Sequence, residues 1–251
     1  MLVMTDLARV AAIWRYPVKS MAGEALTEVD VSWHGLAGDR RWAFVRDGMT
    51  HSNFPWLTIR EQPMMCQYRP SFTDPDRPEA SQTIVRTPTG AAFDVTDPAL
   101  GAELGTSLPV IKTERGFFDA EPLSLITTQT VAALTAMVGT DLTPLRFRPN
   151  LVVTATNDAP FQEDAWVGSV LRVGSIQMRV DKRDGRCVMV NVDPVTAQRN
   201  PAVLRAIAAQ RQACLGVYGS IVEPGHVAVG DSVSAAGLTA GVAQEHGFAA
   251  D

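Results

Sequence analysis

Cysteine is scarce in this 251-residue chain: only Cys66, Cys187 and Cys214 occur. An odd number at wide spacing, with no export signal ahead of them, excludes a disulfide framework and points to reduced thiols in a cytoplasmic protein. Three cysteines are also too few to hold an iron–sulfur cluster, so electrons for any redox reaction must come from another protein. Positive charge is not in excess either. The formal net charge is −5, which excludes a general nucleic-acid footprint and leaves any anion site to a local cluster working against the overall field. No run approaches the roughly 20 apolar residues of a membrane helix, and the longest helical apolar piece is "VAALTAMV". The first twenty residues carry Asp6 and Arg9 inside their apolar part, so they do not read as a signal peptide.

Several motifs are missing as well. Neither phosphate-cradling glycine signature is present. His34, His51, His226 and His246 are scattered, which argues against a zinc site of standard spacing. No G-x-S-x-G marks a serine nucleophile.

What remains is ordinary globular composition, 46% apolar and 20% charged, dominated by strand signals. "RVAAIWRYP", "ALTEVDVSW", "RRWAFVR" and "MMCQYR" are rich in β-branched and aromatic residues, and "TIVRTPTGAAFDV" reads as a hairpin. A second set follows: "LPVIKT", "LSLIT", "LRFRPNLVVTA", "GSVLRVGSIQMRV", "RCVMVNVDP", "CLGVYGSIVE" and "HVAVGDSVSAA". Three helices are expected. Asp97 with Pro98 opens one, Thr127 or Thr128 opens another that stops at Gly139, and Asn200 with Pro201 opens the third. The polar segment "SFTDPDRPEASQ" reads as a surface loop. A mainly β chain follows, barrel or sandwich, divided near residues 105–120.

The stretch "DKRDGRCVMVNVDP" sets Cys187 directly beside Arg186. Nearby cations favour the thiolate, which is both nucleophile and soft metal ligand. Taken alone, the same cysteine also reads as a small buried hydrophobe. "YPVKS", "GLAGDRRW" and "RFRPN" each end or begin a strand with a cation and small polar donors, and together they could converge on an anion.

In this order, "IWRYPVKSMAGEAL", "GLAGDRRWAFV", "LTIREQPMM", "RFRPNLVV", "GRCVMVNVDPVT" and "GVYGSIVEPGHVAVGDSV" resemble the MOSC family, named for the C-terminal domain of molybdenum cofactor sulfurases. The resemblance covers nearly the whole chain. It implies a MOSC-type β-barrel with a smaller N-terminal β module and a few short helices, residues 1–105 forming the module and 106–251 the MOSC domain. It implies a molybdenum cofactor, the metal–molybdopterin complex, ligated by the Cys187 thiolate. Lys19 and Ser20 match the pair at the pterin phosphate, and Arg40 a further cofactor-binding arginine. Thr127 and Thr128 match hydroxyl residues at a helix start, where exposed N–H groups favour an anion. Arg148 and Asn150 match donors to the pterin, Gly185 and Arg186 the positions before the ligand, and Tyr218 a tyrosine lining the site. Asp184 stands where members commonly carry a second cysteine.

The implied activity is reduction of N-hydroxylated or N-oxygenated small molecules, with electrons from a separate iron–sulfur or flavoprotein. A carrier of the cofactor or of sulfur on Cys187, without turnover of its own, satisfies the same residues, as does a family-like shell that binds no cofactor.

Overall fold

Leu7, Val10 and Ile13 all point inward from the long first strand, β1 (Met4–Arg15), and each is almost fully buried. That strand belongs to a sheet closed on itself in a computed structural model that describes residues 4–49, 51–107 and 109–236. The first half continues with β2 (Glu24–Leu26), β3 (Glu28–Ser32), β4 (Gly35–Leu36), β5 (Trp42–Phe44), β6 (Arg69–Phe72), β7 (Thr83–Arg86), β8 (Ala92–Asp94) and helix α1 (Pro98–Glu103). Next come β9 (Val110–Lys112), β10 (Leu123–Thr127), α2 (Thr128–Val138), β11 (Leu151–Ala155), β12 (Val170–Val173) and β13 (Ile176–Gly185). The described chain ends with α3 (Pro201–Arg211), β14 (Cys214–Glu223), β15 (Gly225–Ala228) and β16 (Ser232–Ala236).

Seven strands close the barrel in the order β11–β10–β14–β13–β12–β16–β1, with β1 pairing back onto β11. Closure leaves no free strand edge in the ring. Only β10 and β11 run parallel, and such a pair needs a crossover, which α2 supplies. β1 therefore ties the N-terminal residues into the same sheet as the strands from the second half. Alternation fills the interior with Leu125, Leu151, Val173, Met178 and Val217, each at or below 1% exposure.

Two further apolar clusters flank the barrel. One gathers Met21, Phe44, Leu57, Ile59, Met65 and Val192; the other lies under α2 and α3 and includes Leu134, Phe147, Val190, Val203 and Ile207.

The expected helices form with their expected caps. Asp97 accepts from the Ala99 N–H, Asn200 from Ala202, and Thr127 from Thr130, while Gly139 closes α2 at φ +70°. The hairpin β7–β8 forms as well. Three expected strands differ. "RCVMVNVDP" is a 3-10 turn over Val188–Asn191, because Val190 is drawn into one flanking cluster and Val192 into the other, which leaves no ladder to join. "MMCQ" is a 3-10 turn over Pro63–Gln67, and "PLRF" one over Pro144–Phe147; in both, proline occupies the first helical position and cannot donate to a sheet. All three cysteines are free thiols. No helix among the described residues is long and apolar enough to cross a membrane.

Candidate functional site

Beyond the barrel end where β10, β13 and β14 meet, an open recess brings together Lys19, Ser20, Arg40, Arg148, Asn150, Gly185, Arg186, Cys187 and Tyr218. Its lining holds five cationic side chains against three carboxylates, so the recess is locally positive in a chain of net charge −5.

The backbone is unusual there. Ser20, Arg40 and Arg148 all sit at positive φ, +68°, +52° and +51°. Non-glycine residues adopt this region at a cost, and such strain gathers at ligand clamps. The three follow turns that re-aim the chain: Ser20 after β1, Arg40 before β5, Arg148 at the end of a 3-10 turn. The Arg40 and Arg148 guanidinium carbons lie 4.8 and 4.2 Å from the centre of the buried Tyr16 ring. Burial, opposed by those two charges, pushes the Tyr16 phenol up to about 12. Burial also brings Arg148 down to about 10, with Arg40 adding to the effect, and it remains charged at neutral pH.

Buried polar atoms on the lining without a hydrogen-bond partner include the donors Ser20 Oγ, Arg146 Nε and Arg148 Nη2, and both oxygens of Asp184, whose carboxylate is ion-paired with Arg186. Arg148 Nη1 donates to the Met21 carbonyl at 2.5 Å, which fixes the guanidinium with its other end free. Orphaned buried donors beside a positive recess fit an anionic ligand.

Other side chains hold the frame. Arg40 pairs with the fully buried Asp39 and donates to the Arg148 carbonyl at 3.0 Å. Asn150 donates to the Trp14 carbonyl at 3.2 Å and to Asp39 at 3.1 Å, so its amide braces the wall. Lys19 donates to the Phe117 carbonyl at 2.8 Å and to Asp119 at 2.5 Å; burial lowers its pKa against the pull of Asp119. Arg186 is bound to the Leu215 and Phe147 carbonyls and lies 2.7 Å from Asp184. Gly216 makes room for it. A Cβ there would lie 2.8 Å from the Leu125 carbonyl and 3.4 Å from Arg186 Nη2. Burial pushes the Asp184 carboxyl up to about 6, against Arg186 and Arg40. Burial, then Asp184, pushes Tyr218 up to about 12.

Cys187 is half-buried and precedes the 3-10 turn in an extended conformation, φ −122° and ψ −174°. Its sulfur accepts from Arg60 Nη2 at 3.2 Å. The sulfur is therefore neither sealed in the apolar core nor without a cation.

Thr127 and Thr128 do not line the recess. The anion at the start of α2 is the chain's own Glu163, which accepts from the Thr127 amide and from the Thr127 and Thr130 hydroxyls. Thr128 turns instead to Gln129 and Thr154. The strand leads away from the recess: Ser124 faces Tyr218, while Thr127 lies three residues further on.

Two family patterns match the chain, the MOSC N-terminal beta barrel domain over residues 7–100 and the MOSC domain over residues 112–234. The chain belongs to the MOSC family. The molybdenum cofactor sulfurase of Caenorhabditis briggsae is 23% identical to this MOSC chain over 260 residues, covering 91% of the chain and 35% of the sulfurase. Mitochondrial amidoxime-reducing component 1 of Danio rerio is 34% identical over 83 residues, covering 33% of the chain and 24% of that protein. The MOSC chain thus spans about a third or less of the curated relatives it matches. The crystal structure of YuaD from Bacillus subtilis superposes with a TM-score of 0.52 at 12% identity, covering 94% of this chain and 98% of that one, and shares its fold.

Two members of the site escape the motif reading of this MOSC chain. Asp119 pairs with Lys19 from 100 residues away, and Arg60 reaches Cys187 from 127 residues away. "LTIREQPMM" marks the segment that holds Arg60, but nothing in its pattern assigns the side chain a partner.

Proposed function

We propose that this chain binds the molybdenum cofactor in the recess and reduces N-hydroxylated or N-oxygenated small molecules, with electrons from a separate iron–sulfur or flavoprotein. One observation carries the reading: a half-buried cysteine sulfur shares a positive recess with unpartnered buried donors on strained backbone. A soft thiolate suits a molybdenum centre, and the cationic wall suits a phosphate. The names of the relatives support it: one is a molybdenum cofactor sulfurase, another an amidoxime-reducing component.

Cys187 would supply the protein's sulfur ligand. Lys19, Ser20 and Arg148 would hold the anionic end, with Arg40, Asn150 and Arg186 keeping that wall in place and Tyr218 lining it. When bound, the cofactor supplies a metal that accepts an oxygen atom and exchanges electrons. The residues around it orient the ligand and exclude water. Asp184, its carboxyl near 6, is placed to hold or release a proton inside the recess.

A carrier reading draws on the match to the sulfurase over 91% of this chain. A carrier would load molybdenum or sulfur and show no turnover. The deciding experiment is reduction of a simple N-hydroxylated amidine by the loaded protein with an artificial electron donor. Turnover that disappears in Cys187→Ser supports the enzyme, and a loaded protein without turnover supports the carrier.

A further inference from the structure

Arg60 lies outside the set of residues assigned to the cofactor, yet it makes the one side-chain hydrogen bond to the Cys187 sulfur among the described residues. Its loop is rigid. Leu57, Thr58 and Ile59 are buried, the Arg60 N–H donates to Thr58 Oγ1 at 3.2 Å, and Arg199 donates to the Arg60 carbonyl at 2.8 Å. The guanidinium packs over Phe54, 5.4 Å from the ring centre.

Arg60 forms no direct ion pair among the described residues; Asp119 and Glu61 act on it only through space, and both are engaged with other cations. Glu61 pairs with Arg46 at 3.0 Å and accepts from Thr58, while Asp119 pairs with Lys19. A guanidinium held beside a reactive sulfur, with no carboxylate directly bound to it, attracts negative charge to that spot.

We propose that Arg60 is a specificity-determining residue, selecting reactants that bring a negatively charged or strongly dipolar group to the Cys187 sulfur. Resting on the function proposed above, this names the favoured substrate class: compounds whose transferable oxygen carries formal negative charge, such as N-oxides, over neutral N-hydroxy compounds.

The test begins with the full chain free of cofactor. The rate of Cys187 alkylation by anionic iodoacetate is divided by the rate with neutral iodoacetamide, each read by mass spectrometry on the peptide containing Cys187. The ratio cancels the thiolate fraction and reports local charge. Arg60→Gln lowers it roughly tenfold, Arg60→Lys holds it within about twofold, and the ratios at Cys66 and Cys214 stay fixed. An unchanged ratio in a folded Arg60→Gln overturns the inference, whatever metal the protein holds. On the loaded protein, Arg60→Gln loses more kcat/KM on an N-oxide than on a neutral N-hydroxy compound, and equal losses overturn the substrate assignment. A ratio that falls as expected in a protein that binds no molybdenum leaves the sulfur's selectivity standing and removes the proposed function instead.

Discussion

The barrel interior and the recess at its end are built from opposite materials. Inside the ring, Ile13, Leu151, Val173 and Val217 are wholly buried, apolar and regular. In and behind the recess, Lys19, Asp39, Arg146 and Asp184 are buried too, at 6% exposure or less, but they are charged. Around them Ser20, Arg40 and Arg148 hold the left-handed backbone region. The barrel is where burial stabilises the fold, and the recess is where stability is given up for a ligand.

The comparison can be sharpened most strongly from the barrel side. Leu151, fully buried, pairs with Ile13 on β1 and Leu125 on β10. Leu151→Ala is expected to cost about 2–5 kcal/mol in urea unfolding, while the folded fraction loads metal as before. Loss of loading without loss of stability would break the division.

On the recess side, Asp184 gives a pH-dependent effect. Its carboxyl rises from 3.8 to about 6 in the folded chain, so the folded state binds the extra proton between those values. Wild-type stability therefore falls relative to Asp184→Asn as pH rises through that window, by up to about 3 kcal/mol, and the gap is level above it. Urea midpoints at pH 4, 5, 6 and 7 measure the gap. A wild type that gains stability relative to the variant as pH rises would contradict the burial cause.

Ser20 gives the smallest effect. Ser20→Gly relieves a strained φ and removes a buried hydroxyl without a partner, so it should stabilise the cofactor-free chain by about 1 kcal/mol in thermal melts while weakening anion binding. Destabilisation would mean that Ser20 serves the frame.

The same contrast explains what the sequence made legible. Helix caps are local chemistry, so Asp97, Gly139 and Asn200 could be read directly, and Thr127 as one of two adjacent threonines. Barrel strands follow from alternation, but pairing of β1 with β11 joins residues more than 130 positions apart and leaves no local trace. The Cys187 turn imitates a strand because Val190 and Val192 are both buried, but they enter two different apolar clusters instead of one sheet face. Thr127 and Thr128 sit at a helix start suited to an anion, and only the fold shows that Glu163 already fills it. Most of the recess was visible through its motifs. Arg60 was not, since its contact depends on a distant loop.

The most direct measurement is molybdenum per chain in protein purified from a cofactor-producing host, wild type beside Cys187→Ser. About one metal per wild-type chain, falling to background in the variant, is the expected result. No molybdenum in the wild type, or equal amounts in both, would contradict the assignment of the Cys187 sulfur as ligand.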